Sequence, residues 1–263
     1  MEINGENLNS SLIKAFKIIE FLASYGAPIS VPSLSQKLHF NKTTTYNLLR
    51  TLVALQYIKK FSDGNFTLSS KILELGSLYN TSNAAVNIFK LCVIPLLHKY
   101  PSCNFSFGTI GTSMRGVYLS IIGPNETFIS AGTAFPLHST AIGKVILANS
   151  PEKFINKFFK EKKLTRYTNN TITDEVSLRK QFAKIRKDNY CLINGETFTD
   201  FHCIAVPIFN KGKHIKGAIS IRSTENFIRQ NQAQIIPDMI LLGKNMSSSL
   251  GYNVEEDNPN SLY

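Results

Sequence analysis

The first seventy residues carry the pattern that most restricts the fold of this chain. Apolar residues recur with helical spacing over 10–24, and a second helical segment begins near Pro32, which suits the first turn of a helix. A third helix is predicted from Asn41, as its N-cap, to about Leu55. Two β-rich runs then flank the Asp63-Gly64 turn signal. Three short helices followed by a two-stranded hairpin predict a winged helix-turn-helix.

Beyond residue 102 the pattern changes to short strands separated by glycine and proline, with helices between some of them. The expected strands are 104–110, 116–122, 127–131, 203–209 and 215–222, and the expected helices are 139–149, 150–162, 173–187 and 235–250. This order predicts an α+β domain with an antiparallel sheet. The chain is therefore expected to divide into a winged helix-turn-helix domain at 8–70, a helical connector at 71–100, a second domain at 101–251 and a flexible tail at 252–263.

The charge balance favours an anionic partner, with double-stranded DNA as the first candidate. The chain carries 29 lysines and arginines against 18 acidic residues, a net charge of +11. Residues 9–62 contain seven basic residues and only one acidic residue, Glu20. No apolar run reaches membrane-spanning length, the first residues lack a signal-peptide pattern, and the four cysteines are scattered. We therefore expect a cytoplasmic protein with no membrane association and no disulfide scaffold.

The third helix has two chemically distinct faces. At 100° per residue, Leu48, Leu49, Leu52 and Leu55 fall on one arc and are predicted to face the core. The opposite arc offers side chains that can bond bases and phosphates, since asparagine pairs with adenine and arginine with guanine. The predicted DNA contacts are Lys42, Thr43, Thr44, Tyr46, Asn47 and Arg50 on the helix, with Lys59 and Lys60 on the hairpin. The alternative is an ordinary solvated helix face.

A second candidate site lies on the hairpin around Lys211-Gly212. If that turn is symmetric, Cys203 lies opposite Ser220 and Phe201 lies opposite Arg222. One face is then uniformly aliphatic, while the other mixes a thiol, a hydroxyl, a guanidinium and a ring, as in a cavity for a small polar ligand. The alternative is that Arg222 is exposed at a strand end and Cys203 is an inert buried thiol.

Three stretches resemble the IclR-type transcriptional regulators over about residues 8–251. They are Asn41-Lys-Thr-Thr-Thr-Tyr-Asn-Leu-Leu-Arg-Thr-Leu with Phe66-Thr-Leu, then Leu137-His-Ser-Thr-Ala-Ile-Gly-Lys-Val-Ile-Leu-Ala, and Cys203-Ile-Ala-Val-Pro-Ile-Phe. The resemblance implies a GAF-like effector domain, a homodimer or homotetramer, and control of metabolic operons. The chain departs from the family in having Asn47 where arginine is usual and Ser69 where the wing usually ends in glycine, so the operator sequence should differ.

The same resemblance implies an effector site. It assigns the site to the positions of Cys203 and Ser220, together with Phe135, Ala141 and Ile142. With the neighbouring hairpin residues Phe201 and Arg222, these form the predicted effector site. The position of Arg222 often carries a small hydroxyl residue in the family, and our hypothesis is that its guanidinium favours a carboxylate or phosphate effector.

Enzymatic readings find little support in the sequence. No phosphate-binding glycine motif appears, the segment beginning at Gly111 lacks the closing glycine of a nucleophile elbow, and His202 alternates with Cys203 along one strand. We expect no catalytic residues, no cofactor and no metal ion. The interpretation is a ligand-responsive DNA-binding regulator, a repressor relieved or tuned by a small metabolite. The rival is a small-molecule sensor or enzyme whose first domain contacts protein instead of DNA.

Overall fold

The computed structural model describes residues 8–124 and 129–252, which divide into two compact units between Ser82 and Asn83. This division falls inside the stretch expected to form a helical connector, which contains two helices, one in each unit. Residues 253–263 of the expected tail lie outside the described residues. In the part of the chain that is described, no helix is long and apolar enough to cross a membrane.

The first unit has the predicted winged helix-turn-helix order. Its elements are α1 (Ser10–Tyr25), α2 (Val31–Leu38), α3 (Lys42–Ala54), β1 (Ile58–Lys60), β2 (Phe66–Leu68) and α4 (Lys71–Ser82). Strands β1 and β2 pair antiparallel. The small core draws one apolar residue or more from each of α1, α2, α3 and the hairpin, including Ile18, Leu34, Leu49 and Phe66. This core fixes which face of α3 is turned inward.

The second unit is built on a six-stranded antiparallel sheet. Its elements are α5 (Ala84–Lys99), β3 (Asn104–Ile110), β4 (Gly116–Ile122), β5 (Ala134–Phe135), α6 (Ala141–Ala148), α7 (Glu152–Glu161), α8 (Glu175–Asp188), β6 (Cys191–Asn194), β7 (His202–Phe209), β8 (Ile215–Ser223) and α9 (Glu225–Ser249). The strand order is β5-β4-β3-β8-β7-β6. The α+β prediction is confirmed.

Each face of the sheet supports a separate apolar cluster. On one face the aliphatic residues of β7 and β8, such as Val206 and Ile219, pack with α5 and α9. On the other face Ala205 and Ala218 pack with α6, α7 and α8. The alternation predicted for the two strands is therefore present, and the face that carries Cys203 looks toward α6.

The predicted register of the β7–β8 hairpin is wrong by two residues. Cys203 pairs with Arg222 instead of Ser220, while Ser220 pairs with Ala205, and Phe201 precedes the paired residues. The turn is one residue longer than assumed, since the N–H of Asn210 donates to the carbonyl of His214 (3.1 Å), and a bulge between Ile208 and Phe209 adds a second residue. Because strand side chains alternate with period two, a slip of two leaves both faces unchanged.

Two further predictions on the second unit need correction. Of the expected strand at 127–131, residues 127 and 128 lie outside the described residues, and 129–131 are not strand; β5 forms at Ala134–Phe135 instead. The last helix begins at Glu225, ten residues earlier than predicted, with the Thr224 side chain accepting the N–H of Phe227 as its cap.

Candidate DNA-reading helix and effector cavity

The structure places the polar face of α3 on the surface of its unit. Thr43, Asn47 and Arg50 are exposed, and Tyr46 keeps 43% of its surface accessible. On the opposite face Leu49 and Leu52 are buried. The side chain of Asn41 accepts the N–H of Thr43 at 2.8 Å, which satisfies one free donor of the first turn and fixes where the helix begins. The four side chains are thus held on one rigid, outward helical face.

The other predicted contacts are less uniform. Lys42, Lys59 and Lys60 are exposed, whereas Thr44 is half-buried. Leu55 was expected to face the core, but it is 53% exposed because α3 ends at Ala54 and Leu55 forms its C-cap.

A hydroxyl of α3 that the sequence reasoning did not single out is buried. The Thr45 hydroxyl donates to the Asn41 carbonyl at 3.0 Å, so this threonine serves the fold and is not available to DNA. Its position on the same arc as the buried leucines is the signal that could have identified it.

A cavity of about 360 Å³ lies in the second unit, on the face of the sheet that carries α6. All seven residues predicted for the effector site line it: Phe135, Ala141, Ile142, Phe201, Cys203, Ser220 and Arg222. They come from β5, the first turn of α6, the loop before β7, and β7 and β8. The volume falls in the range of small-molecule sites.

The wall of this cavity is held in place by close packing. Thr140 caps α6 by donating its hydroxyl to the Pro136 carbonyl (2.8 Å) and accepting the Gly143 N–H (3.1 Å), which sets the first turn against the cavity. The Phe135 ring lies directly over Gly116, where an added Cβ would come within 2.0 Å of the ring. Only glycine allows that approach. The ring of Tyr118 packs beside Phe135, with centroids 4.5 Å apart.

The lining of the cavity is mostly apolar and includes the cationic side chain of Arg222. The guanidinium of Arg222 stacks 4.3 Å above the Phe201 ring, and Arg222 forms no ion pair with any described residue. None of the described lining residues is acidic. Burial raises the pKa of the Cys203 thiol to about 12, although nearby Arg222 acts in the opposite direction. Cys203 is therefore a neutral thiol and not a nucleophile at neutral pH.

Arg115 is a cavity residue that the sequence reasoning missed. It follows a tight connection in which Ser113 (φ 54°) and Met114 (φ 53°) are both left-handed, and its N–H donates to the Thr112 carbonyl at 3.1 Å. Two successive non-glycine residues in the left-handed backbone conformation carry conformational strain. This turn carries no sequence signal, because left-handed turn positions favour Asn or Gly and here they hold Ser113 and Met114.

A buried ion pair lies behind the cavity wall, and it too was missed. Lys144 on α6 is fully buried. Its ammonium bonds the carboxylate of Glu196 and donates to the side-chain carboxamide oxygen of Gln181 at 2.8 Å. Glu196 belongs to the segment between β6 and β7, which also supplies Thr197 and Phe198 to the cavity. The ion pair therefore connects α6 with the cavity loop.

His202 lies on the opposite face of β7 from Cys203, as predicted. Its Nδ1 is 3.3 Å from the Asn194 carboxamide oxygen, and its Nε2 is 3.9 Å from Glu225. The two side chains do not form a nucleophile–base pair. Among the residues that the structure describes, no cluster of three histidine, cysteine or acidic side chains is placed to bind a metal ion.

Comparison with known proteins gives two family matches along the chain. The IclR helix-turn-helix domain matches residues 11–60, and the C-terminal domain of the bacterial transcriptional regulator IclR matches residues 122–245. Together they account for more than half of the sequence.

Individual relatives match over nearly the whole chain. It is 27% identical over 253 residues to the HTH-type transcriptional regulator KdgR of Dickeya chrysanthemi (93% of this chain, 81% of that protein). It is 24% identical over 262 residues to the DNA-binding transcriptional repressor YiaJ of Escherichia coli (95% and 90%). An IclR homologue from Microbacterium hydrocarbonoxydans, solved with 4-hydroxybenzoate, has the same fold, with a TM-score of 0.74, 16% identity and coverage of 92% and 99%.

Proposed function

The chain belongs to the IclR family of bacterial transcriptional regulators, and we propose that it is a homo-oligomeric repressor whose operator affinity is lowered by a small acidic effector. The family consists of DNA-binding regulators and not enzymes, in agreement with the expectation from the sequence. Family membership alone leaves three questions open. They are which residues contact the operator, what the effector is, and whether the effector relieves or strengthens repression.

The operator contacts are assigned to the exposed face of α3. The observation that carries the assignment is the separation of Tyr46, Asn47 and Arg50 on the surface from Leu49 and Leu52 in the core. In a helix-turn-helix the second helix lies in the major groove, where asparagine and arginine read base edges. Phosphate contacts are assigned to Lys59 and Lys60, which are exposed on strand β1 of the wing.

The effector is assigned to the 360 Å³ cavity of the second unit. Its mostly apolar lining and the guanidinium of Arg222, which forms no ion pair with a described residue, favour a small molecule with a carboxylate. A homologue of the same fold has been solved with 4-hydroxybenzoate, itself a small acid. Repression is proposed because the relative YiaJ, which matches 95% of this chain, is a repressor.

Oligomerisation follows from the way such regulators read DNA. A single short helix contacts only a few base pairs, and two copies related by a twofold axis read two half-sites of a palindrome. We therefore propose that the chain binds its operator as a dimer or a tetramer of identical subunits.

The experiment that tests the DNA-binding part is selection of genomic fragments by the full chain, followed by titration of an enriched fragment at increasing salt. We expect a palindromic sequence to be enriched. The logarithm of the binding constant should fall linearly with that of the salt concentration, because bound lysines and arginines release counterions. Retention that is independent of salt, with no enriched fragment, would support the rival in which the first unit binds protein.

A further inference from the structure

The cavity is lined by a second arginine, Arg115, in addition to Arg222. Arg222 lies near the end of β8 and pairs with Asn104 at the start of β3. Arg115 immediately precedes Gly116, which pairs with Ile110 at the other end of β3. Six residues of strand separate these two positions, about 20 Å at roughly 3.3 Å per residue. Both arginines nevertheless line the same cavity, and their strand positions place them toward opposite ends of β3.

Most of the wall between the two arginines is apolar, with the hydroxyls of Ser106 and Ser220 among its few polar groups. Tyr118, Phe135, Ile142 and Ile193 contribute rings and aliphatic groups, and the described lining contains no carboxylate that could neutralise either guanidinium. Neither Arg115 nor Arg222 forms an ion pair within the described part of the chain. A ligand with one anionic group would use only one of them.

We propose that the effector is a dicarboxylate: an elongated, mainly apolar molecule with one carboxylate bound by Arg222 and the other by Arg115. This inference rests on the proposed effector role of the cavity and specifies its ligand class. Guanidinium groups bind carboxylates through paired, charge-assisted hydrogen bonds, so two of them at fixed separation select for both charge and length.

The volume of the cavity limits the size of the ligand. At about 30 Å³ for each water in the liquid, 360 Å³ equals the space of about twelve waters. A molecule of about a dozen non-hydrogen atoms fits this space, which corresponds to a linear dicarboxylate of six to eight carbons or to a benzene ring with two opposed carboxylates.

The test is isothermal titration calorimetry on the full chain with matched pairs of acids. The pairs are adipate with hexanoate, suberate with octanoate, and terephthalate with benzoate, which differ only in the second carboxylate. We expect at least one dicarboxylate to bind at least about tenfold more tightly than its partner. R115M and R222M should each remove that advantage, and the matched control R229M, which changes an exposed arginine outside this cavity, should keep it.

The possible failures are distinguishable. If each monocarboxylate binds as tightly as its dicarboxylate, and R222M weakens both while R115M weakens neither, the dicarboxylate inference is overturned and the acidic-effector proposal stands. If none of the six acids binds, both are overturned for this cavity. Circular dichroism of the three variants, all at positions at least partly exposed, checks that each remains folded.

Discussion

Arg50 and Lys59 carry the same charge but are expected to contribute to DNA binding in different ways. Arg50 lies on the outward face of α3, whereas Lys59 lies on the wing with its ammonium 5.1 Å from the Phe61 ring. A groove-facing arginine reads a base, and a wing lysine meets the backbone that is common to all sequences. The two residues therefore separate specificity from general affinity.

We predict that Arg50→Ala weakens binding to the selected operator by about 1–3 kcal/mol and relaxes the preference at one base pair. Lys59→Ala should instead weaken operator and unrelated DNA alike and reduce the salt slope by about one. Fluorescence anisotropy titrations on both DNAs measure these effects. Lys184→Ala, which removes an exposed charge from α8, is the control. Equal losses on both DNAs for Arg50→Ala would contradict the assignment of this residue to base reading.

At the scale of elements, the buried pair of Lys144 and Glu196 joins α6 to the loop that borders the cavity. A fully buried ammonium is costly unless it is paired, so removal of one partner leaves an uncompensated charge. Replacement of both residues by apolar side chains is expected to restore the stability of the protein, because no charge is then buried.

We predict that Lys144→Met lowers the free energy of unfolding by about 3–5 kcal/mol, and that the double variant with Glu196→Leu recovers most of this loss. Lys157→Met removes one partner of an exposed pair with Glu161, and it should change the free energy of unfolding by less than about 1 kcal/mol. Urea unfolding followed by circular dichroism measures all three. A Lys144→Met variant as stable as the wild-type protein would show that the ion pair is absent in solution.

A second pair of elements, α5 and α9, is joined by a titratable contact. Asp238 on α9 accepts hydrogen bonds from Lys99 and from the Tyr100 hydroxyl, both at 2.6 Å. Burial by itself raises the pKa of Asp238, but the hydrogen bonds from Lys99 and Tyr100 and the charge of Lys99 outweigh it and hold the pKa below the ordinary aspartate value. The folded state thus prefers the carboxylate.

We predict that Asp238→Asn lowers stability at pH 7 by at most about 1 kcal/mol, the range of partly exposed pairs. A depressed folded-state pKa stabilises the protein above the unfolded pKa of about 3.9, and this contribution is lost as the pH falls through the folded-state pKa. The difference between variant and wild type should therefore shrink as the pH falls below about 4, and it should vanish only below the folded-state pKa. Urea unfolding at pH 7 and at pH 3 tests this, and an equal difference at both values would exclude the carboxylate as its source.

The elements with strong local signals were predictable from the sequence, and those set by tertiary packing were not. Helix α3 has an Asn41 cap and a clear leucine arc, and it forms within one residue of the predicted bounds. The first part of α9 is polar, and Pro237 lies within the helix, which hid its start at Glu225. The Thr224 cap and the packing of Ile228 in the core set that start.

The cavity residues show the same division. The seven predicted residues could be placed on one face because strand parity survives a register slip of two, even though the pairing itself was wrong. Arg115 could not be found, since it follows a left-handed turn whose Ser113 and Met114 carry no turn signal. Lys144 was visible in the sequence, but its burial depends on Glu196, 52 residues later.

At the scale of the whole molecule, the proposed function requires that the cavity and the operator influence each other. Coupling between two sites is reciprocal, so an effector that weakens DNA binding by some factor is itself bound more weakly by that factor in the DNA complex. Coupling of about 1–3 kcal/mol is common in such regulators, which corresponds to roughly 5–150-fold.

We predict that saturation with the tightest-binding dicarboxylate lowers operator affinity by a factor in this range, and that the complex with operator binds the acid more weakly by the same factor. Two titrations, one of DNA with and without acid and one of acid with and without DNA, measure the two factors. The Arg222→Met variant should retain operator binding and lose the response. Unequal factors, or a response that Arg222→Met retains, would contradict effector action through this cavity.

The most direct test of the account as a whole is the operator affinity of a chain in which Thr43, Tyr46, Asn47 and Arg50 are all replaced by alanine. Its matched control replaces four exposed polar residues of α8, namely Ser177, Lys180, Lys184 and Lys187, in the same way. In anisotropy titrations at fixed salt, we predict that the α3 variant binds the operator no better than unrelated DNA while remaining folded, and that the α8 variant retains its preference for the operator. A folded α3 variant that still prefers the operator would show that another surface reads the DNA.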